Sequence, residues 1–140
     1  MRIFYAVHRS PNPWALPSSR VWEQNLLLPL RDLGHEVIPF EYDLEPIVRN
    51  LDHTDPRQAE FIRTHRPPLV ESLLAQLAEH HRRQPIDLFF SYFYSGCITR
   101  EALAEIRAMG ITSCNFYCNA AHQFHLVEDI APAYDWCLVT

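Results

Sequence analysis

The run Ile86–Tyr94, IDLFFSYFY, constrains the fold more than any other stretch. It is apolar at almost every position and leaves no alternating face for water. A strand of that kind must be covered on both faces, as a central strand of a parallel sheet is. Four other runs are strand-like: Arg2–His8 (RIFYAVH), His35–Tyr42 (HEVIPFEY), Ile111–Cys118 (ITSCNFYC) and Tyr134–Thr140 (YDWCLVT). Helical pattern lies between them, and strands alternating with helices give a parallel sheet with right-handed crossovers. The expected fold is α/β, a single Rossmann-like three-layer domain over 1–140 with helices on both faces of about five strands. The expected strand order is 2-1-3-4-5, with 3-2-1-4-5 as the alternative.

Local signals set the helix limits. Ser18 or Ser19 can cap a helix that runs to Leu33, with Trp22, Leu26, Leu30 and Leu33 on its apolar face and Gly34 as its stop. Pro29 should kink or split it. Pro39 places the second strand at an edge or a bulge. Residues 44–56 read as irregular. Two helices follow, 56–65 and 67–83, with Pro67 and Pro68 in the first turn of the second. Leu69, Leu73, Leu74, Leu77 and Ala78 give that second helix its core face. Thr99 caps a helix from Arg100 to Met109, and Gly110 ends it. His122–Ile130 reads as a short helical stretch.

Composition narrows the function. A net charge of -5 with no basic stripe argues against nucleic-acid binding. Arg63, Arg66, Arg82 and Arg83, with His80 and His81, read as solvated helix ends. No apolar run reaches the ~20 residues that span a membrane. Residues 1–8 enter a strand directly, which predicts no signal peptide. Cys97, Cys114, Cys118 and Cys137 lie in strand-like runs or a turn, which suggests reduced thiols and a cytoplasmic location. The last run stops at Thr140 without turn, cap or polar tail and reads as buried. That predicts the N-terminal half of a longer protein, and an isolated piece could pair with a second copy of itself.

In an open sheet of order 2-1-3-4-5, ligands bind beyond the carboxyl ends of the strands, at the crevice between strands 1 and 3. The loops there are His8–Ser19, Tyr94–Thr99 and Cys118–Gln123. The first has no glycine, so it lacks the close backbone approach a dinucleotide needs, and no P-loop is present. Arg9, Asn12, Trp14, Ser18 and Ser19 could instead hold a polar acceptor by hydrogen bonds and stacking, or merely cap the helix. His8, at the end of the first strand, is the candidate general base. Asp43 could orient a partner or cap its loop. Ser95 and Gly96 permit close backbone approach. Asn119, His122 and Gln123 sit where free N–H groups favour polar ligands. Cys114, Cys118, His122 and His125 make a poor zinc set, because the two cysteines would stand about 13 Å apart along a strand. No metal is expected.

Three stretches carry a resemblance: LLLPLRDLGHEVIPFEYD (26–43), IDLFFSYFYSGCITREALAEIRAMGI (86–111) and NFYCNAAHQFHLVEDIAPAYDWCLVT (115–140). Taken in order they resemble the N-terminal half of the spore-maturation-protein-like glycosyltransferases of GT-B architecture. The resemblance implies an acceptor-binding domain for a small molecule or glycan hydroxyl. It implies a C-terminal partner domain that holds the nucleotide-sugar donor, with no cofactor in this domain. The isolated chain would then be inactive. Many such relatives carry paired acidic residues where this chain has Asn119-Ala120, a departure from the pattern. The alternative is a non-catalytic α/β module that binds a ligand or a partner chain.

Overall fold

The computed structural model describes residues 1–9, 20–119 and 121–139. Five strands form one parallel sheet: β1 (Arg2–Ala6), β2 (Glu36–Pro39), β3 (Leu88–Ser91), β4 (Thr112–Tyr117) and β5 (Trp136–Val139). Their order is β2-β1-β3-β4-β5, as the sequence predicts, with β3 at the centre. Registers run from Arg2↔Glu36 in the β1–β2 pair, Ile3↔Leu88 in β1–β3, Leu88↔Thr112 in β3–β4 and Cys114↔Trp136 in β4–β5.

One face of the sheet carries Phe4, Phe89, Ser91 and Asn115 and lies under two helices, α3 (Pro56–Arg83) and α4 (Arg100–Ala108). Leu69, Leu73 and Leu77 of α3 and Leu103 and Ile106 of α4 are buried there almost completely. Arg2 fixes α3 from the strand side, donating to the carbonyls of His80 and Gln84. The other face carries Tyr5, Phe90 and Phe116. Tyr5 stacks on Phe90 at 5.8 Å and donates to the Trp22 carbonyl, which ties the second helical layer to the sheet.

Local signals largely hold. Thr99 caps α4 by accepting from the Ala102 N–H. Gly34 and Gly110 take φ of 82° and 79°, left-handed conformations that other residues adopt at a cost. Pro39 ends an edge strand.

Several expectations are corrected. Residues 56–83 form one helix of 28 residues, not two. Pro67 and Pro68 are exposed, so the carbonyls they leave unbonded can face water, while Ile62, Leu69, Leu73 and Leu77 bury one stripe across the junction. Packing outweighs the local break that prolines favour. Of the two outcomes expected at Pro29, a kink or a split, the split does not occur. A π turn over Glu23–Leu27, in which Leu28 N–H donates to the Glu23 carbonyl, leads directly into α1 (Leu28–Asp32). Leu33 is 71% exposed, outside the apolar face assigned to it. Within 44–56 lies a short helix, α2 (Glu45–Val48), and its Ile47 reaches the core.

A further correction concerns β5. It is an open edge rather than a buried strand: Trp136, Leu138 and Val139 are 64, 48 and 48% exposed. Trp136 and Leu138 pair with Cys114 and Phe116, so the four share the sheet face opposite α3 and α4. Trp22 touches Phe116 there at 6.2 Å, and the described helical layer does not extend over β5. At the far edge, β2 presents exposed Glu36 and the N–H-less Pro39.

Candidate functional site

A cavity of about 760 Å³ opens at the carboxyl ends of β1 and β2. Its described lining is Val7, Arg9, Phe40, Glu41, Tyr42, Asp43 and Leu44. That is one strand away from the β1–β3 crevice expected from the topology. β2 stops at Pro39; Phe40 N–H still donates to the Tyr5 carbonyl at 2.9 Å, and Glu41–Leu44 continue as one wall of the cleft. Phe40 is buried and stacks on Tyr42 at 5.5 Å and 12°, which braces the tyrosine ring against the core. Arg9 reaches Glu41 across the cleft at 3.2 Å. Asp43 accepts from the Glu45 N–H at 3.0 Å and so shapes the entry into α2.

His8 follows β1 between Val7 and Arg9, two residues that line the cleft, and is not itself part of the described lining. Its Nε2 lies 2.8 Å from Oε2 of Glu45, the first residue of α2. Nε2 is shielded from solvent and has no well-aligned hydrogen bond, so the carboxylate is its close partner without being in line with it. Glu45 is itself held: Arg49 donates from Nε to its other oxygen at 2.8 Å. That guanidinium first, and His8 after it, keep the Glu45 carboxyl below the usual carboxylate range. The arrangement is an imidazole with an ionised carboxylate close beside it. Glu45 was not among the sequence candidates, because no spacing rule links a strand-end histidine to a distant short helix.

The other described candidates gather at the ends of β3 and β4. Asn119 closes a three-membered ring of hydrogen bonds. Tyr94 OH donates to Tyr92 OH at 3.1 Å, Tyr92 OH donates to Asn119 Oδ1 at 2.7 Å, and Asn119 Nδ2 donates to Tyr94 OH at 3.0 Å. Each hydroxyl proton is used once, so the ring satisfies itself and pins the segment after β4 to the end of β3. Trp22 packs on Tyr92 from the other helical layer at 4.8 Å. Ser95 is buried; its hydroxyl lies against the Leu126 carbonyl and the Asp129 carboxylate, and its own carbonyl accepts from Arg66 at 2.8 Å. Gly96 packs on Ile62, whose atoms would stand 3.2 Å from an added Cβ. The glycine there serves helix packing. His122 is exposed, and the Gln123 carbonyl accepts from Tyr117 OH. Among the described residues, no hydrogen bond or ion pair joins these groups to His8 or Arg9. Asn12, Trp14, Ser18 and Ser19 lie outside the described residues.

Burial raises the pKa of Tyr5, Tyr92, Tyr94, Tyr117 and Tyr134, five of the six tyrosines. Tyr92 is raised further by its bond from Tyr94. These phenols therefore act as neutral donors and not as bases. The linkage follows directly. The unfolded chain gives up its tyrosine protons near pH 10 while the folded chain keeps them. Stability is thus full below about pH 10 and is lost as pH rises above it. Tyrosinate absorbance near 295 nm should grow together with loss of circular dichroism. Most tyrosines ionising in a chain that keeps its fold would refute this.

Among the described residues no group of three or more His, Cys, Asp or Glu side chains is placed to hold a metal ion. All four cysteines are free thiols, and burial pushes Cys97 up to about 12. No described helix is long and apolar enough to cross a membrane. No family model matches the chain, and no curated protein or solved structure matches it either.

Proposed function

We propose that this chain is the acceptor-binding half of a two-domain glycosyltransferase, working from a cytoplasmic location with a nucleotide-sugar held by a second, C-terminal half. The observation that carries the proposal is His8 backed by the Glu45 carboxylate beside a 760 Å³ cleft at the carboxyl end of the sheet. The resemblance of 26–43, 86–111 and 115–140 to acceptor-side domains supports the same reading. So does a first loop without glycine, which leaves phosphate recognition to the other half.

In this reading an acceptor hydroxyl lies in the cleft against His8. The imidazole takes the hydroxyl proton as the oxygen attacks the sugar carbon and the bond from that carbon to the nucleotide phosphate breaks. Glu45 stabilises the imidazolium, and Arg49 keeps Glu45 ionised. The test is transfer from a panel of nucleotide-sugars by the complete gene product. His8→Ala is expected to lower kcat about a hundredfold, within the range of a lost general base. No transfer and no nucleotide release with any donor would overturn the proposal, and full activity in His8→Ala would remove His8 from it.

A second reading, a non-catalytic module that docks a partner chain, is favoured by the exposed apolar edge at Trp136, Leu138 and Val139. Transfer activity in the complete gene product separates the two.

A further inference from the structure

The charges around the cleft bear on what kind of acceptor enters it. Among the described lining side chains there are one guanidinium, Arg9, and two carboxylates, Glu41 and Asp43. Arg9 is already matched by Glu41 at 3.2 Å. Arg49, the first cation after the lining segment Phe40–Leu44, is taken by Glu45. The cleft therefore carries one more carboxylate than guanidinium, and no described cation faces it without a partner. A phosphate or carboxylate group there would have to displace Glu41 from Arg9 and then sit beside two carboxylates.

Hydroxyl groups meet the opposite situation. The Asp43 and Glu41 oxygens can accept from them, and Arg9 can donate. Tyr42, braced on Phe40, supplies a rigid ring against which the C–H face of a pyranose can pack. The lining sets charged side chains beside the apolar Val7, Phe40 and Leu44, and about 760 Å³ lies within the usual range for a small-ligand pocket.

We infer that the cleft over β1 and β2 takes an uncharged saccharide, and selects against phosphorylated or acidic ones. The inference rests on the acceptor reading of this cleft and adds the class of acceptor to it.

The test is an amide chemical-shift titration of the 140-residue chain at matched ionic strength. The probes are the methyl glycosides of glucose, galactose and mannose, and the 6-phosphates of the same three sugars. At least one methyl glycoside should move the amides of Arg9, Tyr42 and Asp43. Its phosphorylated counterpart should bind at least about tenfold more weakly, a modest loss for one unmatched charge near two carboxylates. Asp43→Asn keeps an oxygen to accept from Glu45 N–H and removes only the charge, and Glu41→Gln frees Arg9. Each should narrow the gap between neutral and phosphorylated sugar without abolishing glycoside binding. A phosphate that binds as tightly as the glycoside, or more tightly, overturns the inference and leaves the acceptor reading intact. If no probe of either kind moves the cleft amides, the inference and the acceptor reading of this cleft fall together.

Discussion

Asn115→Ala is expected to lower the unfolding free energy by about 4 kcal/mol, because it strips partners from several buried polar groups at once. Asn115 has no exposed surface. Its Oδ1 accepts from Ser91 Oγ at 2.8 Å and from the Phe93 N–H at 2.9 Å, and its Nδ2 donates to the Phe93 carbonyl at 3.0 Å. Because Ser91 gives its one proton to Asn115, the bond at 2.9 Å between Ser91 and Tyr134 must be donated by Tyr134. One side chain thus takes the place of a backbone ladder where β3 ends and the chain leaves the sheet. Each buried group left without a partner costs about 1–3 kcal/mol, and the cavity adds to that. The total is a large part of the roughly 5–15 kcal/mol that holds a domain together. Urea unfolding of Asn115→Ala and Asn115→Leu distinguishes the causes. Leucine fills the volume but restores no hydrogen bond, so it should recover only the cavity's share of the loss and stay well below wild type. A leucine variant close to wild type would show that packing alone matters at this position.

Phe89→Ala is expected to cost about 4 kcal/mol, in the usual range for a fully buried aromatic. Phe89 has no exposed surface in the central strand and packs edge-on to Phe93 at 6.2 Å and flat on Tyr134 at 6.4 Å. No neighbour can follow it into the space: β1 and β4 flank it, and α3 and α4 lie above. The midpoint of urea unfolding should fall with its slope unchanged. Phe124→Ala, at a residue 40% exposed, is the control and should change stability by less than about 0.5 kcal/mol. A loss below about 1 kcal/mol in Phe89→Ala would contradict this account of the core. Both Phe89 and the Asn115 network rest on Tyr134, so the double variant should depart from additivity.

What could be read in advance was whatever local chemistry or burial pattern decides. The unbroken apolarity of 86–94 put β3 at the centre, and the strand order followed from that together with the alternation of strands and helices. Thr99, Gly34 and Gly110 act within one turn of their own position, so their roles were visible. Pro67 and Pro68 were misread because the rule about proline is local, whereas α3 is held by a stripe of leucines along its length. The exposure of β5 was hidden because apolar residues report a tendency to be covered and not the presence of a cover. Part of the candidate site was visible: Arg9 lines the cleft, and His8 stands next to it in the chain. The pair between His8 and Glu45 left no mark in the chain. The Tyr92–Tyr94–Asn119 ring did leave one, two tyrosines in alternation at a strand end and an asparagine at the end of the next strand. It was passed over because tyrosine in an apolar run reads as packing.

The two margins of the sheet differ in a way that limits how copies of this chain can assemble. Along β5 the described backbone groups on one side have no strand beside them, and Trp136 and Leu138 offer apolar surface next to them. Along β2, Pro39 removes a donor and Glu36 puts a charge on the rim. Two copies can meet β5 to β5 about a twofold axis, and the resulting sheet then ends in β2 on both sides. Growth has no second sticky end to continue from. Light scattering of the isolated chain at rising concentration should therefore level off at twice 16.4 kDa, and Trp136→Lys should hold it at 16.4 kDa. A mass that climbs without a plateau would mean that the β2 rim is not blunted after all.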